Sequence, residues 1–133
     1  MKSLAILGST GSIGESTLEV VRHLRNDFKI FALAAHRNID LLEKQIREFN
    51  VPLVAVYDEK QAMILQKRLP EITVLAGMEG IEIVASHEGV DLVLSAIVGM
   101  HALKPTIAAI KAKKELALAN KEVLVSAGEL ITQ

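Results

Sequence analysis

Apolar residues in this chain follow two rhythms, short unbroken runs and 3.6-residue periodic stretches, and the two alternate from end to end. Leu4 to Leu7 is the first run, of strand length. Ile13, Leu18, Val21 and Leu24 then fall on one side of a helix, with Glu15, Glu19, Arg22 and Arg25 on the other, and the pattern predicts an end near Asn26. Lys29 to Ala35 reads as a second buried strand, and Leu41, Leu42, Ile46 and Phe49 mark the core face of the next helix. After Pro52, Leu53 to Val56 is a third strand. Asp58 with Gln61 resembles a capping box for a helix over Lys60 to Arg68. Ile72 to Leu75 and Met78 to Ser86 read as a strand and a short helix. Val90 to Ala96, rich in β-branched and apolar residues, predicts a central strand. Gly99 interrupts the pattern, and Pro105 suits the first turn of a helix continued by Ile107, Ala108 and Ile110. Glu115 to Ala119 is a last strand, leading into a final helix.

Six strand-helix alternations without an internal repeat or a linker predict one α/β domain over residues 1–133. Its architecture is a doubly wound, mostly parallel sheet of the Rossmann-like dinucleotide-binding type, with right-handed crossovers and helices on both faces. Composition agrees. Half of the 133 residues are apolar and only 3% aromatic, so Ile, Leu, Val and Ala must build the core, as in parallel sheets covered on both faces. With 15 basic and 16 acidic residues spread along the chain, nothing calls for nucleic acid or a membrane surface. No cysteine is present, which removes disulfides, thiolate nucleophiles and sulfur-liganded metals and is compatible with a cytoplasmic location. A first strand beginning at about Ser3 leaves no expected presequence, and no apolar run reaches membrane-spanning length.

Candidate chemistry begins at the first strand-to-helix junction, Gly8-Ser9-Thr10-Gly11-Ser12-Ile13-Gly14. The first N–H groups of a helix lack intrahelical partners and carry partial positive charge, so a glycine-rich turn there is an anion site. Gly8 and Gly11 allow a sharp turn and close approach to a phosphate, Gly14 allows the helix to sit against the strand, and Ser9, Thr10 and Ser12 add hydroxyls. The expected ligand is a dinucleotide pyrophosphate, although three glycines also suit a plain flexible loop. Glu15 and Ser16 stand where a Walker A loop would end in lysine and hydroxyl, which argues against a P-loop NTPase. The second strand ends in Ala35-His36-Arg37-Asn38 rather than in the acidic residue that holds a ribose 2′-hydroxyl. An arginine there can pair with a 2′-phosphate, so the reading favours NADPH over NADH. A solvated loop arginine and a helix-capping Asn38 fit the same residues.

Two later turns reach the same edge of the predicted sheet. Ala96-Ile97-Val98-Gly99-Met100-His101 is either a backbone track along the cofactor or an ordinary turn. Asn120-Lys121-Glu122 closes an apolar strand with an amide, a cation and a carboxylate, which suits either a ligand or a solvated helix cap. His23, His36, His87 and His101 lack metal-ligand spacing and read as surface or packing residues. No nucleophile triad can be assembled.

Taken together, these segments resemble the N-terminal domain of the 1-deoxy-D-xylulose 5-phosphate reductoisomerase family, over the whole chain. The likeness rests on Leu7 to Gly14 with Ser16-Thr17-Leu18, on Ala96-Ile97-Val98-Gly99 with Leu103, Pro105 and Thr106, and on Leu118 to Glu122 with Leu124 and Val125. The resemblance implies NADPH contacts from Thr10, Gly11, Ser12, Ile13, Arg37, Asn38, Asn120 and Glu122, and a sugar-phosphate substrate contact from Lys121. It implies a reaction in which the substrate rearranges with the help of Mg²⁺ or Mn²⁺ and is then reduced, within non-mevalonate isoprenoid synthesis, by a homodimeric enzyme. His36 stands where many members have glycine, and Ala102 replaces a second glycine of the middle motif. The family's metal-binding Asp-x-Glu segment follows the last helix, and this chain stops at Gln133. Metal ligands, catalytic domain and C-terminal domain are therefore expected outside it, and the 133 residues alone are expected to be inactive. Other readings are a different NADPH-dependent reductase, resembling dihydrodipicolinate reductase, or a dinucleotide-sensing module without catalysis. The first leaves Asn120-Lys121-Glu122 unexplained; the second predicts cofactor binding that ignores sugar phosphates.

Overall fold

Alternating strands and helices place their apolar residues on two separate cores, one on each face of a sheet. The structure, a computed structural model, describes residues 1–97 and 99–118. Six strands, β1 (Lys2–Leu7), β2 (Phe28–Ala35), β3 (Leu53–Val56), β4 (Thr73–Ala76), β5 (Leu92–Ser95) and β6 (Glu115–Leu118), pair in parallel in the order β4-β3-β2-β1-β5-β6. The helices α1 (Ser12–His23), α2 (Ile39–Phe49) and α3 (Glu59–Arg68) cover one face, and α4 (Gly77–Ser86) and α5 (Leu103–Lys111) the other. A one-turn 3₁₀ segment, Gly99–Ala102, precedes α5. This is the doubly wound α/β architecture. Among the described residues no helix is long and apolar enough to cross a membrane.

The two faces differ in bulk. Leu4, Ile6, Ile30, Leu33, Val54 and Val56 point toward α1 to α3, whereas Ala5, Ala32, Ala34 and Ala55 point toward α4. Small side chains let α4 lie close to the sheet as the chain crosses back from the β4 edge to β5. Gly80 sits at that contact, where an added Cβ would fall 2.9 Å from the Leu75 Cβ. A bulge in β2 puts Phe31 and Ala32 on the same face, so Phe31 fills the α4 side against His87.

Several expected details shift. Helix α1 ends at His23, and its core face is Gly14, Leu18 and Val21; Ile13 and Leu24 are 39% and 38% exposed. In α5 the buried residues are Pro105 and Ala109, and Ile107 and Ile110 face outward. The central strand is shorter than the apolar run predicting it, because hydrogen bonding to β1 spans only Leu92 to Ser95. The predicted final helix and the strand end at Ala119 lie outside the described residues.

Candidate functional site

In this strand order the chain leaves β1 toward β2 on one side and returns to β5 on the other, so the carboxyl ends of β1 and β5 open a crevice between them. A cleft of about 320 Å³ lies there, lined by Gly8, Thr10 and Gly11 from the first turn, Ala34 to His36 from β2, Tyr57 after β3, Met78 and Ile81 from α4, and Ala96, Ile97 and His101 after β5.

The first turn is built mostly from backbone. Gly8 N–H and Ser9 N–H both donate to the Ala34 carbonyl, at 2.7 and 3.1 Å, and Gly11 N–H donates to the Gly8 carbonyl at 3.3 Å. Gly8 has φ +81°, and a Cβ there would lie 3.1 Å from the Ala96 carbonyl carbon, so this glycine also lets the turns after β1 and β5 touch. At Gly14 a Cβ would come 2.0 Å from the Gly8 carbonyl oxygen. Helix α1 therefore starts directly over the turn. Gly11 is different, because its φ is −79° and an added Cβ meets nothing closer than 3.7 Å. Among the described residues nothing requires glycine at Gly11.

Helices α2 and α3 are capped by side chains: Asn38 Oδ1 accepts from Leu41 N–H at 3.2 Å, and Asp58 Oδ1 from Gln61 N–H at 3.1 Å. Helix α1 has no side-chain cap, and its first helical bond runs from Glu15 N–H to Gly11 C=O at 2.9 Å. The N–H groups of Ser12, Ile13 and Gly14 come before that bond, beside exposed Gly11, Ser12 and Ile13. Ser12 and Ile13 are thus exposed at this end, and Gly14 is buried. Thr10 lines the cleft beside it. Ser9 does not take the phosphate-facing place its hydroxyl suggested; it is wholly buried.

At the other end of the cleft, His36, Arg37 and Asn38 leave β2 exposed. The loop after β3 braces this corner, since Tyr57 N–H donates to Ala35 C=O and Asp58 N–H to His36 C=O, both at 2.9 Å. His36 stacks on Tyr57 with ring centroids 5.1 Å apart, and His101 meets Tyr57 edge-on at 5.7 Å. These two histidines are thus surface-exposed residues that share an aromatic corner of the cleft. His87 is a packing residue: its ring meets Phe31 and its Nδ1 accepts from Gly89 N–H at 2.9 Å. Ala102 has φ −81° and ψ −18°, a conformation open to any residue, so the backbone there does not demand the missing glycine. Among the described residues lining the cleft there is no carboxylate.

Asn120, Lys121 and Glu122 lie outside the described residues. Tyr57, Met78, Ile81 and Gln45 were not anticipated. Tyr57 is findable as the residue directly after a predicted strand, on the edge where ligands bind. Gln45 is findable as a polar residue inside the apolar stripe of α2. Met78 and Ile81 reach the cleft only because α4 crosses beneath it, which no local pattern reports.

The fold and its bare helix start at the switch point define an α/β domain of the dinucleotide-binding class. Comparison with known proteins narrows this further. Residues 4–128 match the 1-deoxy-D-xylulose 5-phosphate reductoisomerase family, to which the chain belongs. It is 57% identical over 131 residues to the 1-deoxy-D-xylulose 5-phosphate reductoisomerase of Protochlamydia amoebophila and 55% identical over 133 residues to that of Lachnoclostridium phytofermentans. In both cases 98% of this chain aligns with 34% of the relative, so the chain spans about a third of their length. A crystal structure of DOX-P reductoisomerase with NADPH, fosmidomycin and magnesium superposes with TM-score 0.87 at 40% identity, over 99% of this chain and 33% of that one. The Zymomonas mobilis enzyme in complex with NADPH gives 0.84 at 36% identity, over 97% and 34%.

Proposed function

We propose that the cleft binds NADPH for an enzyme that rearranges and reduces 1-deoxy-D-xylulose 5-phosphate to 2-C-methyl-D-erythritol 4-phosphate in non-mevalonate isoprenoid synthesis. Family membership and the NADPH complexes of similar solved structures support this reading. The observation carrying the cofactor's placement is the start of α1, uncapped and fronted by a glycine that no described residue requires. The pyrophosphate lies there, against the exposed N-terminal turn of α1 at Ser12 and Ile13, with the Thr10 hydroxyl beside it and Gly8 and Gly11 leaving room for close approach. Arg37 and Asn38 hold the ribose 2′-phosphate, and the His36-Tyr57-His101 corner offers ring faces to the adenine. NADPH supplies the hydride. The chain's own task is to orient it, and the apolar floor of Ala34, Ile81 and Ile97 keeps water away.

By the resemblance, Asn120 and Glu122 also hold NADPH and Lys121 holds the substrate phosphate. Residues 1–133 are the cofactor domain of this reading, with catalytic and C-terminal domains in the remaining two-thirds of the relatives' length. By the resemblance, the divalent ion, Mg²⁺ or Mn²⁺, takes its ligands from those domains. A homodimer in the cytoplasm completes the proposal.

The test is calorimetric titration with NADPH and NADH at one salt concentration, for the parent and for Arg37→Ala. A charge-assisted hydrogen bond contributes roughly 1.5–3 kcal/mol, so the parent prefers NADPH by about tenfold to a hundredfold and the variant loses that preference. Equal parent affinities, or an equal loss for both cofactors, would remove the 2′-phosphate role.

A further inference from the structure

Gln45 is 3% exposed on the sheet-facing side of α2, among Leu42 and Ile46. A buried amide must find partners or lose stability. Its Nε2 donates to the Ser9 carbonyl at 2.9 Å, 36 residues away in sequence, and its Oε1 has no partner among the described residues. Ser9 is itself wholly buried, so its carbonyl has no recourse to solvent. The other bonds of the turn are backbone to backbone: Gly8 and Ser9 N–H to Ala34, and Gly11 N–H to Gly8. The Ser9 carbonyl belongs to the peptide that leads into Thr10 and Gly11, so its direction sets how the turn enters α1.

We infer that Gln45 is a positioning residue that aims the phosphate-binding turn, and that α2 thereby fixes the spacing between the two ends of the cofactor site. The inference rests on the NADPH reading above. Helix α2 begins at the Asn38 cap, next to Arg37, and Gln45 lies two turns further on. One rigid element thus touches both the 2′-phosphate corner and the turn that receives the pyrophosphate. Removing the Nε2 donor leaves a buried carbonyl without a partner, and the turn regains a partner only by rotating its peptide, which re-aims the N–H groups that follow.

The experiment uses the full-length protein with Gln45→Met, which keeps length and packing but removes the donor. Binding of NADPH and of 2′-AMP, which carries the 2′-phosphate but no pyrophosphate, is measured together with the ligand-free thermal midpoint. The expected result is a loss of about tenfold in NADPH affinity with 2′-AMP affinity within about twofold of the parent. A purely structural glutamine would weaken both ligands alike or neither, and either outcome overturns the inference. Gln45→Asn, which withdraws the amide by one methylene, shows the same split and replaces the methionine variant where that does not fold. A parent that binds no NADPH overturns the cofactor reading itself; a parent that binds it and variants that bind equally overturn only the role of Gln45.

Discussion

The three glycines of the first turn are held by different forces. Gly8 answers to its positive φ and to Ala96, Gly14 to the carbonyl of Gly8, and Gly11 to nothing among the described residues. Substitution should separate them. Gly14→Ala forces backbone against backbone and costs about 3 kcal/mol or more, seen as a large fall in the ligand-free melting temperature. Gly11→Ala changes only a helix N-cap and costs at most about 1 kcal/mol without ligand. With NADPH present, the stabilisation that a bound ligand gives should shrink for Gly11→Ala, because the methyl group crowds the pyrophosphate. Paired melts with and without NADPH check both; undiminished stabilisation of Gly11→Ala would mean that the phosphate lies elsewhere. At this scale the spacing in the sequence announced the turn. It did not rank the three glycines, because their separate reasons are contacts with residues before, after and far beyond the motif.

Among the elements, α1 and α2 are tied at their carboxyl ends by a fork. Arg22 donates from Nε and Nη2 to the two oxygens of Glu48, at 2.6 and 2.8 Å, and Arg25 adds a bond at 3.1 Å. Both guanidinium groups lie over the Phe49 ring, 5.7 and 5.1 Å from its centroid. The Arg22 bond, ahead of partial burial that opposes it, holds the Glu48 carboxyl below the ordinary carboxylate range, and the same bond raises Arg22. A carboxylate depressed in the folded state contributes stability above its unfolded value, about 4.3. That contribution is lost as pH falls through the lower folded value. Glu48→Gln should therefore be less stable than the parent at pH 7, by roughly 0.5–1 kcal/mol for a partly exposed pair, and the difference should close in acid, once pH has fallen through the lowered folded value. Chemical denaturation at pH 7 and in acid measures it; a difference that persists in acid would assign the loss to packing. The periodicity of α1 gave the polar face carrying Arg22, with Arg25 just past the end of the helix. It misplaced Ile13 and Leu24 because the helix stops at His23, and because a Gly14 pressed on the turn, not Ile13, faces the sheet.

For the whole molecule, the cleft brings the start of α1 together with an aromatic corner, in a chain that spans about a third of its relatives' length. The 133 residues alone should accordingly bind NADPH and turn nothing over. Following NADPH absorbance with 1-deoxy-D-xylulose 5-phosphate and Mg²⁺ or Mn²⁺ checks this, first for these residues and then for the full-length gene product. Turnover by the 133 residues would overturn the division of labour; turnover by the longer protein alone, lost in Lys121→Ala, would support both it and the substrate role of Lys121.

By itself the sequence determined the order and kind of the described elements, the parallel α/β class, the glycine turn and the basic end of β2. Each of these is written locally, as a run, a period, a cap or a motif. Tertiary structure alone decided which turns meet. That Gly8 touches Ala96, that Tyr57 joins His36 to His101, and that Gln45 reaches back 36 residues to the Ser9 carbonyl all follow from the strand order β4-β3-β2-β1-β5-β6. In that order two unequal cores, one leucine- and isoleucine-rich and one alanine-rich, close over a single sheet. No window along the chain contains that choice, because it is made between residues that become neighbours only when both faces are buried.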